Sequence, residues 1–334
     1  MPFLKKSTYY VGPVTDHFDG IRFYNPWNPR KHSWLGFIRW RMYYKSKPWP
    51  KHVENVFFDQ PPAHVKGSKL RVCFIGHATV LIQTQGLNIL TDPIWTDWAT
   101  PVKIKKIKRV CDPGLSFENL PKIDLILVSH NHYDHLNQET IERLWERDKP
   151  LILSPLGNDT IIKQKNPSIQ VTTLDWEQSY KINDKVTIHL QPSQHWSARG
   201  LWDKNKALWG AFTMETPGGN IYFAGDTGYG HGEVFYHVKE KFGKFRLAIL
   251  PIGAYEPRWF MKYAHMNPED AVTAYRDLGK PYTMGIHFGT FRFSDEGYKD
   301  PIKDLETSKR NHKISDEKFR TLNVGESWDV PESG

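Results

Sequence analysis

From about residue 70 onward, apolar residues fall into short runs broken by glycine. Residues 70–75, 80–83 and 88–91 read as strands, separated at Gly76 and Gly86. The segment 124–129 (Asp-Leu-Ile-Leu-Val-Ser) is short, continuous and aliphatic, which predicts a buried strand. A helix is predicted over roughly 137–147, and the alternation at 186–190 and in part of 220–224 predicts two more strands. Asn267-Pro268-Glu269-Asp270 has the form of a helix start: an N-cap, proline at the first helical position and an acid at the third. Gly279 closes that helix. Strands come first in runs and then alternate with helices, so an α/β chain is expected, with two mixed sheets face to face and helices outside.

Residues 1–65 break this pattern. They are rich in Pro and Trp, basic and weakly periodic, and read as an extension packed on a core spanning 66–334. The stretch from His32 to Lys45 interleaves aromatic and cationic residues. Two readings stay open for it. It lies at a membrane interface with rings at headgroup depth, or it is a helix packed on the domain with its basic face solvated.

Composition narrows the class. With 334 residues, 39% of them hydrophobic, the chain can bury a large core, and its 14% aromatic content exceeds what a core needs. Cys73 and Cys111 are its two cysteines, too few for a disulfide framework, which favours a reducing compartment. The first residues lack the apolar segment of a secretory signal, and no run of about 18 apolar residues occurs. A cytoplasmic protein without a membrane span is therefore expected. Lys and Arg exceed Asp and Glu by 45 to 37, a net charge of +8 that favours an anionic partner without choosing among nucleic acid, phospholipid and phosphorylated substrates.

The chemistry concentrates in His130-Asn131-His132-Tyr133-Asp134-His135, four metal-ligand side chains within six residues, where the strand at 124–129 ends. Imidazole and carboxylate suit zinc and other divalent first-row ions. Four such groups cannot all serve one ion that also keeps an open position. Two ions are therefore expected, His130 and His132 on one, Asp134 and His135 on the other; the plain alternative is a solvated histidine-rich loop. His195, Asp226 and His287 also stand at strand ends. Each alone is as readily a capping or core residue, but their shared placement points to the same centre. Asp92 either orients a ligand imidazole or opens the turn before Pro93. His77 reads as structural, with support of a ligand as the alternative, and Arg199 either holds a phosphate oxygen or is a solvated loop residue.

The His-x-His-x-Asp-His run, a later His, a Gly-Asp turn and a final His resemble, in this order, the metallo-β-lactamase fold superfamily. Phe74–Thr79, Thr91–Pro93, Ser129–Leu136, Pro192–Trp196, Phe223–Tyr229 and Ile252–Met261 are similar to the N-acylphosphatidylethanolamine-hydrolysing phospholipase D family within it. The likeness covers roughly 70–326 and is loose over the first 65 residues. It implies a four-layer αββα sandwich. It implies one ion on His130, His132 and His195, a second on Asp134, His135 and His287, and Asp226 bridging both. Tyr133 and His265 would contact substrate. Ala264 departs from the longer polar residue of animal members, so the pocket is expected to differ there. The implied cofactors are two divalent ions, zinc or iron. The implied reaction is hydrolysis of N-acylphosphatidylethanolamine to phosphatidic acid and an N-acylethanolamine by a metal-bridging hydroxide. Such a substrate calls for peripheral membrane contact, for which Trp34, Phe37, Arg39, Trp40 and Arg41 are the candidates. A lactonase or soluble phosphodiesterase would use the same site. A basic membrane- or nucleic-acid-binding protein with a structural metal is the alternative of another class. No nucleic-acid recognition motif is visible, so no such partner is expected, and a homodimer stays open.

Overall fold

The computed structural model describes residues 9–27, 34–43, 45–104 and 107–332. One sheet places β1 (Leu70–Gly76), β2 (Thr79–Thr84), β3 (Leu87–Thr91), β4 (Leu125–Leu127), β5 (Leu151–Pro155) and β6 (Thr172–Leu174) side by side. The other holds β7 (Ser179–Lys181), β8 (Thr187–Gln191), β9 (Ala211–Glu215), β10 (Asn220–Phe223), β11 (Phe245–Pro251), β12 (Tyr282–Ile286) and β13 (Phe319–Thr321), again in chain order. The last strand, β14 (Ser327–Val330), returns to pair with β1. The helices are α1 (Trp34–Tyr43), α2 (Gln138–Asp148), α3 (Asn158–Ile162), α4 (Glu233–Phe242), α5 (Arg258–Met261), α6 (Pro268–Asp277) and α7 (Asp300–Asn311).

Both sheets follow one plan. Pairing is antiparallel from β14 through β1 and β2 to β3, then parallel on to β6. It is antiparallel from β7 to β10, then parallel on to β13. Strands β1, β3, β4, β5 and β6 therefore point one way, as do β8, β10, β11, β12 and β13. Within each sheet, the C-terminal ends of these strands share one rim.

Successive residues of a strand face opposite sides, and this sorts the core. Val72, Phe74, Leu125 and Leu127 join Ile188, Leu190 and Phe223 of the second sheet in the central core. Cys73, Ile75, Ile126 and Ile152 face the other way, beneath Ile141, Leu144 and Trp145 of α2 and Ile161 and Ile162 of α3. A strand covered on both faces shows no alternation, which accounts for the unbroken apolar run at 125–128. Helices α4 and α6 bring Val234, Phe235, Ala271 and Val272 to the core of the second sheet. The result is the layered αββα sandwich.

The expected elements recur with small differences. Asn137 caps α2, its Oδ1 accepting the Thr140 N–H at 2.9 Å. Asn267 and Asp270 form a reciprocal capping box on α6, and Gly279 follows that helix at φ +86°. β4 stops at Leu127, two residues short of the expected end, because the Ser129 N–H turns away to Asp92 Oδ1 at 2.7 Å. Strands β6, β7 and β13 are three residues long and leave little pattern to read.

The N-terminal stretch is tied into the main body. Phe18 and Phe23 are buried in the central core, with Tyr10 edge-on to Phe18. On α1, Trp40 is buried against Ala254 and Met261, and its indole N–H donates to Asp295. Trp40 is thus a packing residue, which corrects its assignment to membrane contact: its ring and its one donor are both committed inside the fold. The side chains of Trp34, Phe37 and Arg41 lie outside the described set. Phe18→Ala is expected to lower global stability by about 3–5 kcal/mol, as for a large core aromatic. Urea unfolding would check this, and an unchanged midpoint would detach the segment from the core.

Candidate metal centre

The shared rim gathers the singled-out residues. His77 follows β1, Asp92 follows β3, the run 130–135 follows β4, His195 follows β8, Asp226 follows β10 and His287 follows β12. Sharp turns make this geometry accessible, as at Gly225, which holds φ +58° before Asp226 and faces Ser129 too closely for a Cβ.

Two sets of donor atoms converge. His132 Nδ1 lies 2.8 Å from His130 Nε2 and 3.2 Å from His195 Nε2. His135 Nε2 and His287 Nε2 are 3.2 Å apart, and Asp134 Oδ2 stands 3.5 Å from each. Asp226 touches both sets: its Oδ2 is 3.2 Å from His135 Nε2 and 3.7 Å from His195 Nε2, and its Oδ1 is 3.2 Å from His287 Nε2. A tetrahedral ion with bonds of about 2.0–2.1 Å separates its ligands by roughly 3.3 Å, close to these spacings. Lone pairs of neutral imidazoles repel at such range unless a cation or proton lies between them. The donor set therefore fits divalent metal ions.

Electrostatics agrees. Burial pushes His132 down to about 3 and His195 down to about 4, so both rings are neutral and open as ligands. Burial and the neighbouring imidazoles hold His130 far below its usual value. For Asp134 and Asp226, burial acts upward but is outweighed, chiefly by His135, and both carboxyls stay well below the usual range. His135 shows the converse: burial acts downward, yet Asp226, Asp134 and Asp92 together hold it well above the ordinary imidazole value. The carboxylates thus call for positive charge at the point where His135 Nε2 lies.

Asp92 supports the centre from behind. It accepts from Ser129 N–H at 2.7 Å and Ser129 Oγ–H at 2.6 Å, and it holds His135 Nδ1 at 2.7 Å. Of its two sequence readings, the bond to His135 matches the one in which Asp92 orients an imidazole of the donor cluster. His195 Nδ1 is held in the same manner by the Ala264 carbonyl at 2.9 Å. His77, read as structural, stands inside the cluster with Nε2 2.8 Å from Asp134 Oδ2. The strand-end rule that singled out His195 and His287 applies equally to His77 and would have drawn it in.

The other assigned residues lie around this core. His265 Nδ1 is 3.8 Å from Asp226 Oδ2, and its ring is 5.1 Å from that of His195. Burial, with the neighbouring imidazoles of His195, His287 and His132, outweighs Asp226 and holds His265 well below its usual value. Tyr133 is half-buried beneath the Arg199 guanidinium, 3.9 Å above its ring. Arg199 Nη1 donates to the carbonyls of Asn131 at 3.0 Å and Leu136 at 2.8 Å. Through Nη1, Arg199 thus braces the loop that carries the histidine run, and its Nη2 lies 3.4 Å from Gln138 Oε1. A cavity of about 630 Å³ opens beside Tyr133, lined also by Thr96, Trp98, Lys103, Gln138 and Lys165.

The chain belongs to the beta-lactamase superfamily, whose domain model matches residues 87–288. N-acyl-phosphatidylethanolamine-hydrolyzing phospholipase D 1 of Caenorhabditis elegans is 36% identical over 275 residues, 79% of this chain and 76% of that protein. The mitochondrial N-acyl-phosphatidylethanolamine-hydrolyzing phospholipase D of Saccharomyces cerevisiae is 38% identical over 248 residues, 72% of this chain and 52% of that one. Among solved structures, the isothiocyanate hydrolase from Delia radicum gut bacteria has a TM-score of 0.61 at 18% identity, covering 78% of this chain and 99% of that one. At that identity the likeness concerns the fold alone. Among the described residues, no helix is long and apolar enough to cross a membrane.

Acid should destabilise the metal-free protein. His77, held at about 3, His132 and His195 take up protons in the unfolded chain near pH 6.5 but resist them when folded, so stability falls as pH drops from about 6.5 toward 4. The depressed Asp134 and Asp226 lose their contribution in the same direction at still lower pH. His135 opposes, as does the raised His17, their contributions being full below about 6.5 and lost as pH rises through the raised folded values, and the raised buried carboxyls of Asp92 and Glu296 act in the same sense. Urea midpoints of chelator-treated protein should therefore drop between pH 7 and pH 5, and a rising midpoint would contradict the neutral-imidazole assignment.

Proposed function

We propose that the protein is a binuclear metal-dependent phosphodiesterase of the phospholipase D type, hydrolysing N-acylphosphatidylethanolamine to phosphatidic acid and an N-acylethanolamine. The observation that carries this reading is Asp226, whose two oxygens reach both donor sets at once. The relatives' activity, as their names give it, supplies the substrate class. His130, His132 and His195 would hold one ion and Asp134, His135 and His287 the other, with Asp226 shared. Zinc suits this nitrogen and oxygen set, and iron is the alternative. When bound, two such ions supply Lewis-acid charge for phosphoryl oxygens and lower the pKa of water.

The chain's own residues do the rest. Neutral His265 offers one N–H and one lone pair beside Asp226, suited to bonding a phosphoryl oxygen or carrying a proton to the leaving group. Its loop is fixed by Arg258, which donates to the His265 carbonyl at 3.0 Å and to Asp270 Oδ2 at 2.6 Å. Tyr133 lines the neighbouring cavity and would contact substrate there, with its ring stacked under Arg199.

A lipid substrate also requires peripheral contact with a bilayer. Since Trp40 is buried, that contact falls to exposed apolar residues. Leu201 and Trp202, 81% and 84% exposed, form the tip of a loop pinned by Asp203 to Arg199 N–H and Gly200 N–H. Met42 and Tyr43 on α1 and Trp259 on α5 form a second exposed group, with Arg39 5.4 Å from the Trp259 ring. Aromatic and aliphatic tips flanked by cations are the composition of interfacial anchors.

Asp226→Ala should cost both ions and essentially all activity, read by metal analysis beside release of N-acylethanolamine from lipid. Active protein carrying a single ion would refute the binuclear assignment. His265→Ala should keep its metal and lose on the order of 10²-fold or more in kcat, with Tyr133→Phe milder; loss of metal in either would reassign them. The pair Leu201→Ser, Trp202→Ser should weaken vesicle binding while leaving hydrolysis of a soluble phosphodiester nearly unchanged. Equal vesicle binding by parent and variant would move the contact elsewhere.

A further inference from the structure

We propose that His77 is a positioning residue for the second ion, holding Asp134 through its ring and the chain at His287 through its backbone. This inference rests on the two-ion reading above. His77 is buried, and its Nε2 lies 2.8 Å from Asp134 Oδ2. That distance is a hydrogen bond. It is shorter than the 3.5 Å separating the same oxygen from His135 Nε2 and from His287 Nε2, and it pairs an imidazole N–H with a carboxylate oxygen, a contact that needs no ion between them. His77 is therefore a donor to a ligand rather than a further ligand. The carboxylate fixes the tautomer, with the proton on Nε2; Nδ1 is buried and has no partner.

The backbone of His77 does a second task. Its carbonyl accepts the His287 N–H at 2.8 Å, and its own N–H donates to Thr290 Oγ1 at 2.9 Å. One residue at the end of β1 thereby ties a ligand of its own sheet, Asp134, to a ligand carried by the other sheet, His287. The arrangement demands φ +57° at His77 directly after Gly76 at φ +132°. A left-handed conformation is unfavourable for a residue with a Cβ, and such conformations concentrate where surrounding contacts over-determine them. Here the contacts are the two backbone bonds, the His287 ring at 4.1 Å and Phe291 packed edge-on at 5.2 Å. Without the Nε2–H donor, Asp134 would lose the bond that fixes which oxygen faces His135 and His287. Partners of this kind commonly change metal affinity on the order of 10–100-fold.

The test compares His77→Phe, which fills the space without a donor, with His77→Gln, whose amide N–H can reach the carboxylate. Zinc-loaded protein is dialysed against graded chelator, metal per chain is counted, and cobalt-substituted samples are followed by absorption. His77→Phe should release one ion at on the order of 10–100-fold lower chelator strength and keep the other. Its kcat should fall while KM stays near that of the parent, and His77→Gln should restore the second ion. A His77→Phe protein that holds both ions as tightly as the parent would overturn the proposal. Loss of the second ion from His77→Gln as well would overturn it by making His77 a ligand, and that arm decides alone should His77→Phe fail to fold. A parent protein with fewer than two ions would instead refute the two-ion reading.

Discussion

A buried carboxylate needs a matching positive charge, and three of them, Asp92, Asp134 and Asp226, crowd around His135. The rest of the centre follows from that requirement. Asp134 belongs to the first sheet and Asp226 to the second, so whatever neutralises them also fastens the two sheets at this rim. The neutral imidazoles answer the same need by keeping their lone pairs free for a cation. Taking away one charge of the set would leave the others as isolated buried ions, a far larger penalty than the loss of a single contact.

The fold meets this demand through strand direction. Five strands of each sheet end at one rim, so imidazoles and carboxylates from distant parts of the chain meet without long loops. Local bonds then set each group. β4 gives up its last two residues so that the Ser129 N–H can reach Asp92. Arg199 clamps the carbonyls of the histidine loop, and Arg258 clamps the turn behind His265. These arginines act on the backbone of the ligand segments, which explains how an irregular loop can present four side chains with little freedom.

Much of this was legible in the sequence, and the gaps have physical causes. β1, β2, β3 and β4 could be read as apolar segments bounded by turns, and β8 and part of β10 from alternation. β6, β7 and β13 could not, since three residues hold less than two periods of alternation. Among the site residues, the run at 130–135 is readable from spacing alone, and His195, Asp226 and His287 from their place after strands. Arg199 was legible as a residue near the site, but its grip on the histidine loop was not, because which carbonyls it faces depends on a loop folding back across 68 residues to Asn131. Trp40 misled for a related reason. An aromatic beside cations looks interfacial in sequence, and only packing against residues some 200 positions away, such as Ala254 and Met261, makes it core.

The common plan of the two sheets has a consequence for how the centre is composed. β1 and β8 are second in their sheets counted from the antiparallel edge, and β3 and β10 are fourth. His77 and His195 are therefore positional twins, and so are Asp92 and Asp226. In one half of the molecule the pair bonds to donors of the cluster, His77 to Asp134 and Asp92 to His135; in the other half His195 and Asp226 stand among the donors themselves. The histidine run after β4 has no such twin after β11, where Ile252-Gly253-Ala254-Tyr255 continues the chain instead. The chemistry is thus lopsided on an even-handed frame, one half furnishing most of the donors and the other closing the cage around them.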